Sequence, residues 1–242
     1  MTNEEILAYE AKIQSQYGGF APSMIPQMTK IGWSPKEQAN ILHQFKFESN
    51  GIPNRPEDLR YRPEAIVAKF GGRPHFAGMT LDQKLQEAIK VRTQGEVAIA
   101  NAAYGGYLGN AQNEGYKYRG RGYVQLTGKD NYKQVGDEIG VDLVNNPDLL
   151  LTDKSIDERA SLAYMKLRQK QFKLNYNELS QVSKAITGES FSTRQKKAAE
   201  REIIYLAPDD VSSMRPAEDP QVWADFKSDK ISIETYFSRR GY

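Results

Sequence analysis

Apolar positions along the chain recur at helical spacing far more often than they alternate, so the sequence predicts a predominantly helical protein. Ser34-Pro35-Lys36-Glu37 is a capping box with proline at the first helical position, and Gly51 and Pro53 stop the helix it opens. Thr80 with Gln83 opens a second helix carrying Leu81, Leu85, Ala88 and Ile89. A third runs from Glu96 through Val97, Ala100, Ala103, Tyr104 and Tyr107. Ile156, Ala160, Ala163 and Leu167 fall at alternating helical steps and make one apolar stripe on a fourth. Ser192 with Gln195 caps a last long helix that buries Ala199, Ile203 and Leu206. Between these, Ile52 to Pro63 and Gly109 to Gly128 carry glycine, proline, asparagine and charge in place of a period, which predicts loops or short hairpin strands lining a cleft.

The chain has 242 residues and is 39% hydrophobic, enough for one substantial core. We place a single domain over residues 1–206. Past Leu206, Pro208, Pro216 and Pro220 break the pattern, and residues 207–242 are expected to pack on the domain, being too few to build a core alone. The 33 basic and 31 acidic residues leave a net charge of +2, so no global field argues for nucleic acid. The stretch from Arg159 to Arg201 is locally basic, which fits a solvated helix face or a surface for an anionic polymer such as a bacterial envelope. The absence of cysteine excludes disulfides, a thiolate zinc site and a cysteine nucleophile. His43 and His75 are too few for the usual zinc constellation, so no metal or cofactor is expected. The first residues, Met1 to Ile6, carry acids and no apolar core, and no later run could span a bilayer, so neither a secretory signal nor membrane insertion is expected.

Candidate chemistry starts at Glu48. Ile41, Phe45 and Glu48 stand at i, i+4 and i+7, so the carboxyl continues the apolar stripe of its helix near the C-terminal end. Apolar surroundings and the negative end of the helix dipole both disfavour ionisation there, as a general acid near neutral pH requires. Helix position equally fits a glutamate at a frayed end that points to water. Glu57 lies nine positions on, beyond Gly51, Pro53 and Pro56, in a loop able to fold back toward Glu48. Glycoside hydrolysis needs two carboxyl groups, one to protonate the leaving oxygen and one to activate water or attack the sugar. Spacing leaves a surface role for Glu57 open, since Asp58 and Glu64 are close by.

The segment Tyr118-Arg119-Gly120-Arg121-Gly122-Tyr123-Val124-Gln125-Leu126-Thr127-Gly128, with Phe47-Glu48-Ser49-Asn50-Gly51 upstream, resembles the active-site signature of family-19 glycoside hydrolases, which include chitinases and bacteriophage endolysins. Glu57-Asp58-Leu59-Arg60-Tyr61, Ile99-Ala100-Asn101-Ala102-Ala103-Tyr104, Gly109-Asn110 and Asp130-Asn131-Tyr132 follow in the family's order. The resemblance implies a lysozyme-like α+β fold, mainly helical, with two lobes, a central cleft and a small β-hairpin region. It makes Glu48 the general acid, Glu57 the general base and Thr127 the hydroxyl that helps hold the attacking water. It places Gln125 and Asn131 at positions that contact sugar or support the cleft, and it suggests substrate contacts for Tyr118, Arg119, Arg121 and Tyr123. The two arginines equally suit a structural role, holding active-site acids through their planar forks.

Two positions depart from the family pattern: Phe47 stands where a histidine is usual, and Thr187 where an asparagine binds substrate. The compact, cysteine-free chain resembles the phage members in character. It is therefore expected to cleave peptidoglycan between N-acetylmuramic acid and N-acetylglucosamine, with chitin as the alternative substrate. Further expectations are synthesis in a host cytoplasm, action on the wall after membrane permeabilisation or from a virion tail or baseplate, and a monomeric state.

Overall fold

The computed structural model describes residues 23–49 and 52–188 of the chain. Nine α-helices occur among them: α1 (Met24–Ile31), α2 (Pro35–Ser49), α3 (Pro63–Phe70), α4 (Leu81–Thr93), α5 (Glu96–Tyr104), α6 (Lys129–Ile139), α7 (Leu149–Thr152), α8 (Lys154–Phe172) and α9 (Leu179–Thr187). The expected cap of Ser192 with its helix, and the extension at 207–242, lie outside the described residues.

Local signals act where they were expected. The Ser34 box forms, with the Glu37 N–H on Ser34 Oγ at 3.3 Å and the Ser34 N–H on Glu37 Oε2 at 2.8 Å. Thr80 and Gln83 close the same reciprocal pair at the start of α4. The burial of α4 is rotated from expectation, however. Leu81 is 72% exposed and Ile89 42%, while Ala88 and Val91 are buried. The helix packs on α3 and α5 along one side only, so the partners choose a narrower stripe than the sequence offers. Helix α5 ends at Tyr104 rather than Tyr107, with Gly105 as its C-cap.

The helices gather around two apolar cores. The larger joins α1, α2, α6, α8 and α9 through residues such as Met28, Ile41, Phe45, Val135, Leu162, Met165 and Val182. The smaller joins α3, α4 and α5 through Leu59, Ile66, Phe70, Ala88, Ile99 and Ala103. Two irregular stretches run between them: 52–62, which leaves α2, and 105–128, which returns from α5. The expected hairpin region is reduced to two isolated antiparallel bridges, Pro56 with Arg121 and Arg121 with Leu126. The first bridge consists of Glu57 N–H to Gly120 O (3.0 Å) and Gly122 N–H to Arg55 O (2.9 Å), which pin one stretch to the other. The molecule is thus mainly α-helical with two lobes, as the sequence suggested.

Candidate active site

Glu48 sits in the last turn of α2, partly buried beyond fully buried Ile41 and Phe45. Gln44, one turn earlier, donates from Nε2 to Glu48 Oε1 at 2.7 Å. Arg55 reaches back from the following loop and donates from Nη1 to the Glu48 carbonyl oxygen at 2.7 Å. Burial raises the carboxyl above the ordinary glutamate range, and the Gln44 hydrogen bond and the Arg55 charge oppose that only in part.

Glu57 is held differently. The Tyr104 hydroxyl, from the end of α5, donates to Oε1 at 2.6 Å, and the Gly120 N–H donates to Oε2 at 3.0 Å. Its pKa is also raised by burial, against the Tyr104 and Gly120 hydrogen bonds and the charges of Lys69 and Arg119. The carboxylate therefore has two hydrogen-bond donors and two cations in its favour, whereas the side chain of Glu48 has one of each. At Glu57 these groups favour the ionised form against a deeper burial than that of Glu48.

Thr127 is partly buried in the turn after the second bridge, and its hydroxyl donates to Gln125 O at 2.8 Å. Gln125 donates from Nε2 to Arg55 O and Gly122 O, both at 3.0 Å, which ties the two irregular stretches together. Asn131, in the first turn of α6, donates to Thr127 O at 2.7 Å and fixes that turn from below. Gly120 explains one glycine of the motif. A Cβ there would lie 2.9 Å from Gln125 Oε1 and 3.3 Å from Glu57 Oε2, so a side chain at this position would displace the ends of both.

Three of the expected substrate contacts need correction. Tyr118 and Tyr123 are fully buried; Tyr123 stacks on Phe45 with ring centres 6.1 Å apart, and Tyr118 packs on Tyr132 and donates its hydroxyl to Val144 O. Arg121 is 1% exposed and directs its guanidinium to Asp148 Oδ1, Tyr132 Oη and the carbonyls of Lys117 and Arg119. These side chains form the scaffold under the site, because a motif dense in aromatics and arginine reads alike whether it faces substrate or core. Arg119 is partly exposed and lies over the Tyr116 ring at 4.1 Å, with its charge felt at Glu57. Sequence reasoning gave no role to Gln44, Arg55 or the Tyr104 hydroxyl. The i, i+4 spacing of Gln44 and Glu48 was a signal for the first; Tyr104 is brought to Glu57 only by tertiary folding.

Residues 98–205 match the family model described as chitinase class I. Over 115 residues the chain is 42% identical to "Acidic endochitinase Q" of Nicotiana tabacum, covering 44% of this chain and 46% of that protein. Over 129 residues it is 33% identical to a glycosyl hydrolase family 19 domain-containing protein of Haemophilus influenzae, covering 52% of this chain and 60% of that one. A shorter match, 50% identical over 48 residues, is to "Inactive chitinase-like protein 1" of Hevea brasiliensis, covering 20% of this chain and 15% of that protein. The chain thus spans about half the length of the first two of these relatives. The matched segment starts within α5 and includes Thr127, and over that segment the chain is similar to glycoside hydrolase family 19.

Proposed function

We propose that this protein hydrolyses β-1,4 bonds in a polymer of N-acetylated amino sugars, with inversion at the anomeric carbon. The observation that carries the reading is the unequal support of two partly buried glutamates: one donor, the Gln44 amide, reaches the Glu48 carboxyl, and two, the Tyr104 hydroxyl and the Gly120 N–H, reach that of Glu57. In this reading the Glu48 carboxyl gives its proton to the glycosidic oxygen as the bond from that oxygen to the anomeric carbon breaks. Water forms the new bond to that carbon and passes a proton to the Glu57 carboxylate. The Thr127 hydroxyl directs its own hydrogen to Gln125 O, so its oxygen is left to accept a hydrogen from the same water. A water giving one hydrogen to Glu57 and one to Thr127 turns its lone pair toward the sugar.

Peptidoglycan is the finer proposal. Lys69 lies over the Tyr61 ring at 4.6 Å, Arg73 over Tyr107 at 3.8 Å and Arg119 over Tyr116 at 4.1 Å. None of the three has a carboxylate within ion-pair distance among the described residues, so the Glu57 side of the site is positive and suits a glycan bearing lactyl and peptide carboxylates. Chitin is the second reading, favoured by the relatives named endochitinases. Digestion of purified peptidoglycan and of soluble chitin oligomers, with mass spectrometry of the new reducing end, decides between them. Glu48→Gln should lower turnover by about 10² or more on either substrate, the scale of general acid catalysis. Near wild-type turnover of that variant would falsify the acid assignment, and a retained anomer in proton NMR taken before mutarotation would remove the role given to Glu57.

A further inference from the structure

We infer that Gln44 is a positioning residue for Glu48, fixing which carboxyl oxygen carries the acid proton. The inference rests on the proposed acid role of Glu48. Gln44 is fully buried on α2, and its Nε2 donates to Glu48 Oε1 at 2.7 Å. In a neutral carboxyl the carbonyl oxygen is the better acceptor of an N–H, so this bond favours the state in which Oε1 is the carbonyl and Oε2 carries the proton. The other end of the amide supplies a second observation: Gln44 Oε1 is buried and has no hydrogen-bond partner. An orphaned buried acceptor is unfavourable, and a methionine of similar length would remove it. As a purely structural side chain an amide is therefore a poor choice here. As a donor to Glu48 it has a reason to be present.

The hydrogen bond also sets where Glu48 titrates. It favours the carboxylate, as does Arg55, the charged group that acts on Glu48 from the loop packed beside this end of α2. Gln44 thereby opposes the effect of burial while giving the neutral acid a defined proton position. Losing it should leave a carboxyl that is easier to keep protonated but free to turn its proton away from the glycosidic oxygen.

The test compares wild type with Gln44→Met and Gln44→Glu in the full chain. Two readouts are used: the pH dependence of kcat, and 13C NMR titration of the Glu48 carboxyl. In Gln44→Met the alkaline limb and the NMR titration should both move up by about one pH unit, the size of one lost hydrogen bond to a carboxylate. The maximal kcat should fall about tenfold while KM stays within about twofold, since only proton delivery is impaired. An unmoved titration, or a loss confined to KM, overturns the inference. Should Gln44→Met fail to fold, Gln44→Glu keeps the shape and places two carboxyls on one proton, which must raise the upper titration; an unmoved profile there overturns the inference equally. Near wild-type turnover of Glu48→Gln would instead remove the acid reading, while the NMR titration would still report whether Gln44 controls that carboxyl.

Discussion

Tyr104 shows how one hydroxyl can set a catalytic window. It is held protonated by its own burial and by Glu57, and it stabilises the Glu57 carboxylate by donating to it. In the proposed mechanism Glu57 is the base and must be ionised to work, so the acidic limb of the activity profile is expected to follow its titration. Tyr104→Phe removes a group that lowers that pKa, and the acidic limb should move to higher pH, with the greatest loss of kcat/KM below neutrality. The shift should be clear of experimental error, on the order of one pH unit for a charge-assisted hydrogen bond. A profile that drops uniformly without moving would mean that Tyr104 shapes the site but does not tune the base.

The turn from Tyr118 to Gly128 does as an element what no member does alone. Its two bridges are weak as a sheet, and Arg121 at their junction supplies the rigidity through bonds to Asp148, Tyr132 and two carbonyls. Asp148 is 69% exposed, so removing the arginine would let that carboxylate return to water, but the Lys117 carbonyl would lose its donor while the Arg119 carbonyl kept only the Tyr132 hydroxyl. Arg121→Met should therefore lower stability by on the order of 1–3 kcal/mol, the scale of a buried acceptor left unpaired. Chemical denaturation checks this, together with KM of the residual folded enzyme. A large KM increase at unchanged stability would restore Arg121 to the substrate. Gly122 belongs to the same element: at φ +75° a Cβ would meet Asp157 Oδ1 at 2.0 Å, so the second glycine of Gly-Arg-Gly is demanded by α8.

The two irregular stretches and the larger core meet at Asp157 on α8. Its Oδ2 accepts the Asn54 N–H at 2.8 Å, three residues before Glu57, and its Oδ1 accepts the Tyr123 N–H at 3.1 Å. Burial outweighs these hydrogen bonds and pushes the carboxyl up to about 6 from 3.8. Because the folded pKa is above the unfolded one, the native state holds a proton between about pH 4 and 6 that the unfolded chain has released. Asp157 thus makes stability fall as pH rises through that window and adds no further slope above it. A rise of that size corresponds to about 3 kcal/mol across the window. Thermal melts at pH 4 to 7 should show a shallower decline, or a net rise, for Asp157→Asn relative to wild type. Parallel curves for the two proteins would place the proton elsewhere.

Much of this was legible in the chain. Capping boxes at Ser34 and Thr80 and the stripe on α8 are local, depend on residues within one or two turns, and form as the sequence states. The candidate carboxyls could be named because motif order survives in sequence even when distance does not. What could not be read were choices made between elements: which side of α4 is buried, which of Arg119 and Arg121 faces outward, and which hydroxyl meets Glu57. Each depends on residues tens of positions away, as Tyr104 and Gly120 are from Glu57, and on competition for one buried volume. The sequence set the helices and the chemical groups at hand. Packing of two lobes assigned those groups to core or site, because burial and pairing exist only once the chain has closed on itself.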